Sequence, residues 1–308
     1  MFQRLAFSDL ATIRQPLSLA LGVFDGLHLG HQAVMARAVE RAREAGGLAG
    51  VLTFEPHPIQ VLAPERAPRR LLASLEHKER LLEDLGLDLL VVVEFTREFA
   101  SWSAGEFLAE LRRAERLHSL AMGRDWCFGK NRGGNVELLE KFGQEHGVAI
   151  DAVSAVMVAG ERISSTRIRQ ALRDGNLAAA EEMLGRLYSV MGTVSEGKKL
   201  GRELGFPTAN LVPQSEQLPP DGVWAVEARW DGAWHPAVAN LGRRPTVGGD
   251  EDRMLEVHLL SWQGDLYGKE LEVRFRQFLR GEKKFDGLEA LKEQIGRDVE
   301  SARKLLVG

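Results

Sequence analysis

The chain has 308 residues, which favours two domains, since single cores rarely grow past ~250–300 residues. Its composition, 44% hydrophobic and 27% charged, is that of an ordinary globular protein, and a formal net charge of −4 leaves no basic footprint for a nucleic acid. Cys127 is the only cysteine, so neither a disulfide framework nor a thiolate zinc site is possible. No segment reaches the ~18–20 uninterrupted apolar residues of a membrane span. The opening MFQRLAFSDLATIRQ has no continuous apolar stretch and is not expected to be a signal peptide. The expected setting is cytoplasmic, with no membrane or nucleic-acid partner.

In chain order, Leu19 to Phe24 is an apolar run ending in Asp-Gly. Ala33 to Arg43 has Val34, Ala38 and Val39 at helical spacing. Gly50 to Phe54 is a second apolar run, and Leu75, Lys78, Leu81, Leu82 and Leu85 mark a second helix. Leu87 to Phe95 reads as a buried strand. Phe107, Leu108 and Leu111 mark a third helix, and Leu117 to Met122 another short run. This alternation predicts a parallel α/β sheet with crossover helices. After Tyr188 the texture changes. Gly222 to Trp230, Trp234 to Leu241, Met254 to Leu260 and Leu271 to Phe278 are apolar runs split by Gly, Pro and Asp, as in an antiparallel sheet or small barrel. A final helix is expected, opened by a capping box of Asp286 and Glu289 and striped by Leu288, Leu291, Ile295, Val299, Ala302 and Leu305. The boundary is placed near Gly185 to Ser189, giving domains of residues 1–185 and 186–308.

Gly22 to Gln32, GVFDGLHLGHQ, falls where a strand ends and a helix begins. Free N–H groups there offer a phosphate site. Gly22, Gly26 and Gly30 permit close backbone approach. His28 and His31, three apart, share one side of the first helical turn and are suited to donating hydrogen bonds to a phosphoryl group. A Gly-rich turn with two surface histidines is the plainer alternative. Ile163 to Arg169, ISSTRIR, opens another helix whose hydroxyls and N–H groups either cap it or hold a polyphosphate, with Arg169 one turn on. Farther on, GKKLGRELGFPTAN (Gly197 to Asn210) ends with Thr208 and Asn210 two apart. In an extended chain both side chains serve one face and one hard cation; otherwise PTAN is a turn. Glu256, in the apolar run MLEVHLL, is either a solvated strand carboxylate or a base.

The His turn followed by ISSTRIR resembles the HxGH nucleotidyltransferase superfamily, which transfers a nucleotidyl group by in-line attack on the α-phosphorus. TFEPHPIQVL, VVVEFTREFASWSAGEF and MGRDWCFGKNRGGN narrow the resemblance to its flavin-adenylylating branch. Residues 188–306 carry GKKLGRELGFPTAN, GVWAVEARWDG, ANLGRRPTVGG, EVHLL, DLYGKELEV, LRGEKKF and LKEQIGRDVESA, in the order in which they resemble riboflavin kinase. The whole chain is therefore similar to the bacterial bifunctional riboflavin kinase/FAD synthetase family.

That resemblance implies a Rossmann-like HxGH domain followed by a Greek-key β-barrel with a terminal helix. It also implies phosphorylation of riboflavin to FMN by the second domain and adenylylation of FMN to FAD by the first, with ATP as a substrate of both and Mg²⁺ as the cofactor. His28, His31 and Glu256 would be catalytic. Gly22, Phe24, Asp25, Gly30, Ser164, Ser165, Thr166, Arg169, Gly197 and Lys198 would hold ATP or phosphate. Asp125 and Arg280 would meet flavin, and Thr208 and Asn210 the metal. Trp126 and Cys127 stand where the family usually has Phe and Arg, Trp224 replaces a Tyr, and Ser261-Trp262 replaces an Asp-Phe pair. Competing readings are an HxGH enzyme for another acceptor, such as nicotinamide mononucleotide, and a flavin sensor whose catalysis has lapsed.

Overall fold

The computed structural model describes residues 2–68, 70–196, 200–213, 217–243, 253–260, 262, 264 and 266–307, the side chains of residues 200, 202 and 243 excepted. These fall into two compact units: Met1–Arg69 with Lys78–Ser165, and Arg70–His77 with Thr166–Gly308.

In chain order the first unit holds β1 (Gln3–Ala6), β2 (Leu17–Leu21), α1 (Leu29–Ala45), β3 (Leu48–Glu55), α2 (Pro58–Leu62), most of α3 (Leu75–Asp84), β4 (Leu89–Glu94), α4 (Ala104–Leu111), β5 (Leu117–Gly123), α5 (Val136–His146), β6 (Ala149–Val153) and the small hairpin β7 (Met157–Val158) and β8 (Glu161–Arg162). The main sheet runs β1-β4-β3-β2-β5-β6, and every pairing in it is parallel. Strands buried on both faces need apolar side chains throughout; Leu17, Leu19, Leu21, Val51, Leu52, Leu90 and Val91 are all buried. The order β4-β3-β2-β5-β6 reverses direction between β2 and β5, and ligands of open α/β sheets bind beyond the carboxyl ends of strands at that switch point.

The second unit begins with α6 (Ser165–Arg173), whose first residue groups with the sheet, and α7 (Leu177–Leu184). Then follow β9 (Ser189–Ser195), the one-turn α8 (Leu200–Glu203), β10 (Ala209–Pro213), β11 (Gly222–Trp230), β12 (Ala233–Arg243), β13 (Arg253–Leu259), β14 (Glu270–Arg280) and α9 (Leu288–Leu306). The strands close into a barrel, β10-β13-β12-β11-β14-β9. Hairpins join β11, β12 and β13 while β10 lies beside β13, a Greek key read in reverse. Segment 70–77 packs with this unit. Buried His77 lies 3.1 Å from Ser189 Oγ and 3.2 Å from Glu272 Oε1 through its Nε2, and the Leu71 carbonyl accepts from the Gln217 N–H at 2.6 Å.

Trp224 fills the barrel core, edge-on to Phe275 and Phe278, and its indole N–H donates to the Pro220 carbonyl at 3.1 Å. The Trp-for-Tyr departure is thus absorbed with its polar atom satisfied. Trp262 packs against Trp230 and His235; Ser261 lies outside the described residues. Two sequence expectations about α9 need correction. Its N-cap is Gly287, with no side-chain cap bond, so Asp286 and Glu289 form no capping box. The apolar stripe is buried only through its middle and end: Val299, Ala302 and Leu306 join Val223, Ala225 and Val238, whereas Leu288 and Leu305 are exposed. A helix laid across a curved barrel touches it along part of its length.

Candidate functional site

A cavity of about 1130 Å³ opens at the carboxyl ends of the parallel strands. It is lined after β2 by the turn 22–31, after β3 by Phe54 and His57, after β4 by Phe95 and Arg97, after β5 by Asp125 to Phe128, and by Ser164 and Ser165. The turn is built from unusual backbone. Phe24 (φ 53°), Gly26 (φ 84°) and Leu27 (φ 44°) all occupy the left-handed region, which for Phe and Leu stores strain that the surroundings must hold. Several anchors do so. The Val23 carbonyl accepts from Thr53 Oγ1 at 2.8 Å and from Lys78 Nζ at 3.2 Å. The Asp25 carbonyl accepts from Ser165 Oγ at 3.0 Å, and the Leu27 carbonyl from Gln32 Nε2 at 2.8 Å.

His28 is the N-cap of α1, its Nδ1 accepting from the His31 N–H at 3.3 Å. The two imidazoles stack with centroids 3.5 Å apart, and Phe24 meets His31 edge-on. Burial lowers the His28 pKa to about 4, and the Arg162 charge pushes the same way. His31 is held well below its ordinary value by burial, then by His28, Lys78 and Arg162. Both are therefore neutral near pH 7. His31 Nδ1 is buried with no hydrogen-bond partner, an orphan that a ligand in the cavity would satisfy.

The opposite wall is aromatic. Trp126 stacks on Phe128 at 4.9 Å, Phe107 packs on both, and Trp102 lies against Phe99. The exposed Asp125 carboxylate pairs with Arg162 of β8, and the hydrogen bond from that guanidinium holds its pKa below the usual carboxylate value. Cys127 is half-buried, its Sγ 3.6 Å from the Asp125 carbonyl.

The cavity thus gathers Gly22, Phe24, Asp25, His28, Gly30, His31, Asp125, Ser164 and Ser165. Thr166 and Arg169 belong to the second unit, where buried Arg169 donates through Nε to the Arg70 carbonyl. The sequence reading gave Lys78 no role beyond its helix and overlooked Arg162. Arg162 stands directly before ISSTRIR, which was the available signal. Lys78 is spaced like any other residue of an amphipathic helix and gave none.

In the barrel, Asn210 is paired in register with Glu256, and Glu256 with Asn240. Cross-strand partners share a face. The alternate residues Ala209, Leu211, Leu255, Val257, Ala239 and Leu241 are buried inside, so Asn210, Glu256 and Asn240 form one polar row on the opposite face, in which Asn210 is itself buried and the other two are half-buried. Thr208 leads into this row. It is flanked by Gly201, where a Cβ would lie 3.3 Å from Thr208 Oγ1, and by Pro207, whose carbonyl is 2.9 Å from His258 Nδ1. Asn240 was missed because register is invisible in a single strand. Arg280 makes a two-pronged salt bridge to buried Asp298 of α9, with Nε at 3.0 Å and Nη2 at 2.7 Å, and its guanidinium lies over the Phe285 ring. Gly197 and Lys198 lie outside the described residues.

A parallel sheet with a histidine-bearing turn at its carboxyl end, followed in the chain by a closed antiparallel barrel with a polar strand row, is the architecture of a two-domain nucleotide-handling transferase. The FAD synthetase family matches residues 11–167 and the riboflavin kinase family residues 184–306. The bifunctional riboflavin kinase/FMN adenylyltransferase of Escherichia coli (strain K12) is 42% identical over 288 residues, covering 93% of this chain and 91% of that one. The protein of the same name from Bacillus subtilis (strain 168) is 36% identical over 288 residues, covering 92% and 90%. The chain belongs to the bifunctional riboflavin kinase/FMN adenylyltransferase family. A solved Streptococcus pneumoniae structure titled a macrolide-efflux protein superimposes with a TM-score of 0.81 and 31% identity, over 97% of this chain and 98% of that one. The likeness bears on the fold; among the described residues no helix is long and apolar enough to cross a membrane.

Proposed function

We propose that the sheet cavity adenylylates FMN and that the barrel row phosphorylates riboflavin, dividing the two activities of the family between residues 1–185 and 186–308. The observation that carries this reading is the gathering of two neutral, stacked histidines, one with an orphan buried nitrogen, on a strained turn facing an aromatic wall. Phosphates of ATP lie against the turn, Ser164 and Ser165, and a flat ring system against Trp126 and Phe128. A phosphate oxygen of FMN attacks the α-phosphorus of ATP in line, and diphosphate leaves. His28 and His31 donate hydrogen bonds to the charge spreading over the phosphoryl oxygens. Asp125 and Arg162 border the flavin side.

In the barrel, Glu256 removes the proton of the riboflavin 5′-hydroxyl as that oxygen attacks the γ-phosphorus of ATP, releasing ADP. Among the described residues no cluster of three or more His, Cys, Asp or Glu side chains is placed to hold a metal ion. The donors at hand, the Thr208 hydroxyl and the Asn210 amide oxygen, are hard oxygens suited to a Mg²⁺ that also takes nucleotide phosphates. That ion, when bound, neutralises phosphate charge. Arg280 is proposed at the flavin edge of the barrel, held there by Asp298, with Gly197 and Lys198 on the nucleotide. Thr166 and Arg169 are proposed, on the family resemblance alone, as residues that meet ATP phosphate. The substrates are small molecules, and the setting proposed is the cytoplasm. The test is turnover of riboflavin and of FMN, each with ATP, by the purified chain and by variants of each site. Formation of FMN but no FAD, or the reverse, would overturn the two-site reading.

A further inference from the structure

Lys78 is 4% exposed and is not among the residues that line the cavity. Burying an ammonium is costly and calls for compensation. Here it donates to the Val23 carbonyl, and the Asp25 and Glu55 carboxylates are near enough to favour its charge, although burial still lowers its pKa. The same carbonyl accepts a second bond from Thr53 Oγ1. In a planar trans peptide the C=O of one residue and the N–H of the next point in opposite directions. Fixing the carbonyls of Val23 and Leu27 therefore turns the N–H groups of Phe24 and His28 away from the anchors, and both residues line the cavity. Phe24 and Leu27 hold positive φ angles that would relax without such restraint.

The geometry points to Lys78 as a positioning residue of the phosphate turn: it locks the strained Val23–Leu27 backbone from behind and puts a buried positive charge behind bound phosphate. The inference rests on the reading of the cavity as the adenylylation site. It adds a residue that neither the sequence motifs nor the cavity lining would reveal, and it makes a distinct claim, that affinity for a polyphosphate depends on a group outside that lining. Charge and hydrogen bond are separable. Thr53 supplies only the second donor, while Lys78 supplies both.

The experiment measures FAD formation from FMN and ATP for the wild-type chain, Lys78→Met, Lys78→Arg, Thr53→Val and His31→Ala, with riboflavin phosphorylation followed in each preparation. Losing a charge-assisted bond predicts that Lys78→Met raises the KM for ATP in FAD formation about tenfold to a hundredfold. The KM for FMN and the kinase rate should stay within about threefold, and Lys78→Arg should recover most of the ATP affinity. Thr53→Val should raise the KM for ATP about threefold to tenfold. A ¹⁵N titration adds a signature that a merely structural residue would not move. Removing the Lys78 charge should raise the pH at which His31 protonates in Lys78→Met but not in Thr53→Val.

Unchanged KM for ATP in Lys78→Met overturns the inference. So does a parallel rise in the KM for ATP and for FMN with kinase activity intact, which would mark a general loss of cavity shape and not of the phosphate turn. If Lys78→Met cannot be prepared folded, an unchanged KM for ATP in Thr53→Val overturns the anchoring of Val23. FAD formation that survives His31→Ala overturns the site reading beneath it.

Discussion

In the reading proposed above, the two sites meet the same demand, holding a polyphosphate while an oxygen attacks it, with opposite use of the backbone. In the sheet unit the ligand face is a strained turn whose side chains are buried and held by elements far apart in sequence: Thr53, Lys78 and Ser165 all anchor residues 23–25. In the barrel the face is a regular strand surface, with Asn210, Glu256 and Asn240 brought side by side by ladder register. The first site is preorganised by tertiary anchors and so fails when one of them is cut. The second is placed by backbone ladder hydrogen bonds, which side-chain substitutions leave in place, so single exchanges there are expected to disturb the fold less than exchanges at the turn.

That contrast can be broken most directly at Glu256. A general base contributes ~10²–10⁴-fold, so Glu256→Gln should lower kinase turnover by that factor with FAD formation from FMN unchanged; steady-state rates of both reactions check it. A kinase rate within about threefold of wild type would return Glu256 to the status of a solvated strand residue. In the cavity, His31→Ala should cost about 10²–10³ in the rate of FAD formation while the kinase survives. Here collateral effects are expected as well, because the ring also packs on Phe24 and His28.

Asn210→Asp sharpens the barrel side. A carboxylate in place of the amide should shift the kinase's preference among Mg²⁺, Mn²⁺ and Ca²⁺, or its affinity for ATP, without touching FAD formation. Kinetics identical to wild type with all three ions would remove Asn210 from the metal site.

The smallest effect expected is on acid stability, and it belongs to the cavity. The folded-state pKa of His28, about 4, lies below its unfolded value near 6.5. Between these values the unfolded chain binds the extra proton, so stability falls as pH drops through this window. The loss is about 1.4 kcal/mol per pH unit at most for each histidine that stays neutral. Urea denaturation of the wild type and of His28→Gln at pH 7 and pH 4.5 would show it as a smaller pH dependence in the variant. Equal dependence in the two would mean that His28 is not held neutral in the folded protein.

What the sequence revealed follows the range of the interactions involved. His28 and His31 were legible as a pair because three residues along a helix start bring rings together without help from the rest of the fold. The parallel strands were legible because burial on both faces leaves near-continuous apolar runs, as at residues 19–21 and 89–93. Lys78 was not, since a buried lysine and a solvated one occupy the same helical spacing. The Arg280–Asp298 bridge was hidden for a related reason. Its partners are 18 residues apart, on a strand and a helix, and only the packing of α9 on the barrel brings them together. The capping box expected from Asp286 and Glu289 failed because the chain enters α9 through Gly287 at φ 151°, a backbone that leaves no side chain at the N-cap. Segment 70–77, grouped with the barrel although it interrupts the sheet unit, has no expression as a linear boundary.

The distribution of tryptophans has an optical consequence. Trp102 and Trp126 line the cavity, while Trp224, Trp230, Trp234 and Trp262 belong to the barrel unit. An isoalloxazine ring absorbs in the range where indole emits, so a flavin laid against Trp126 should quench the cavity pair strongly. Trp224, sealed in the barrel core, should keep a blue-shifted emission until the barrel itself unfolds. Replacing Trp102 and Trp126 by Phe would leave a chain whose remaining fluorescence reports the barrel alone, and the difference from wild type would follow flavin entering the sheet cavity in real time.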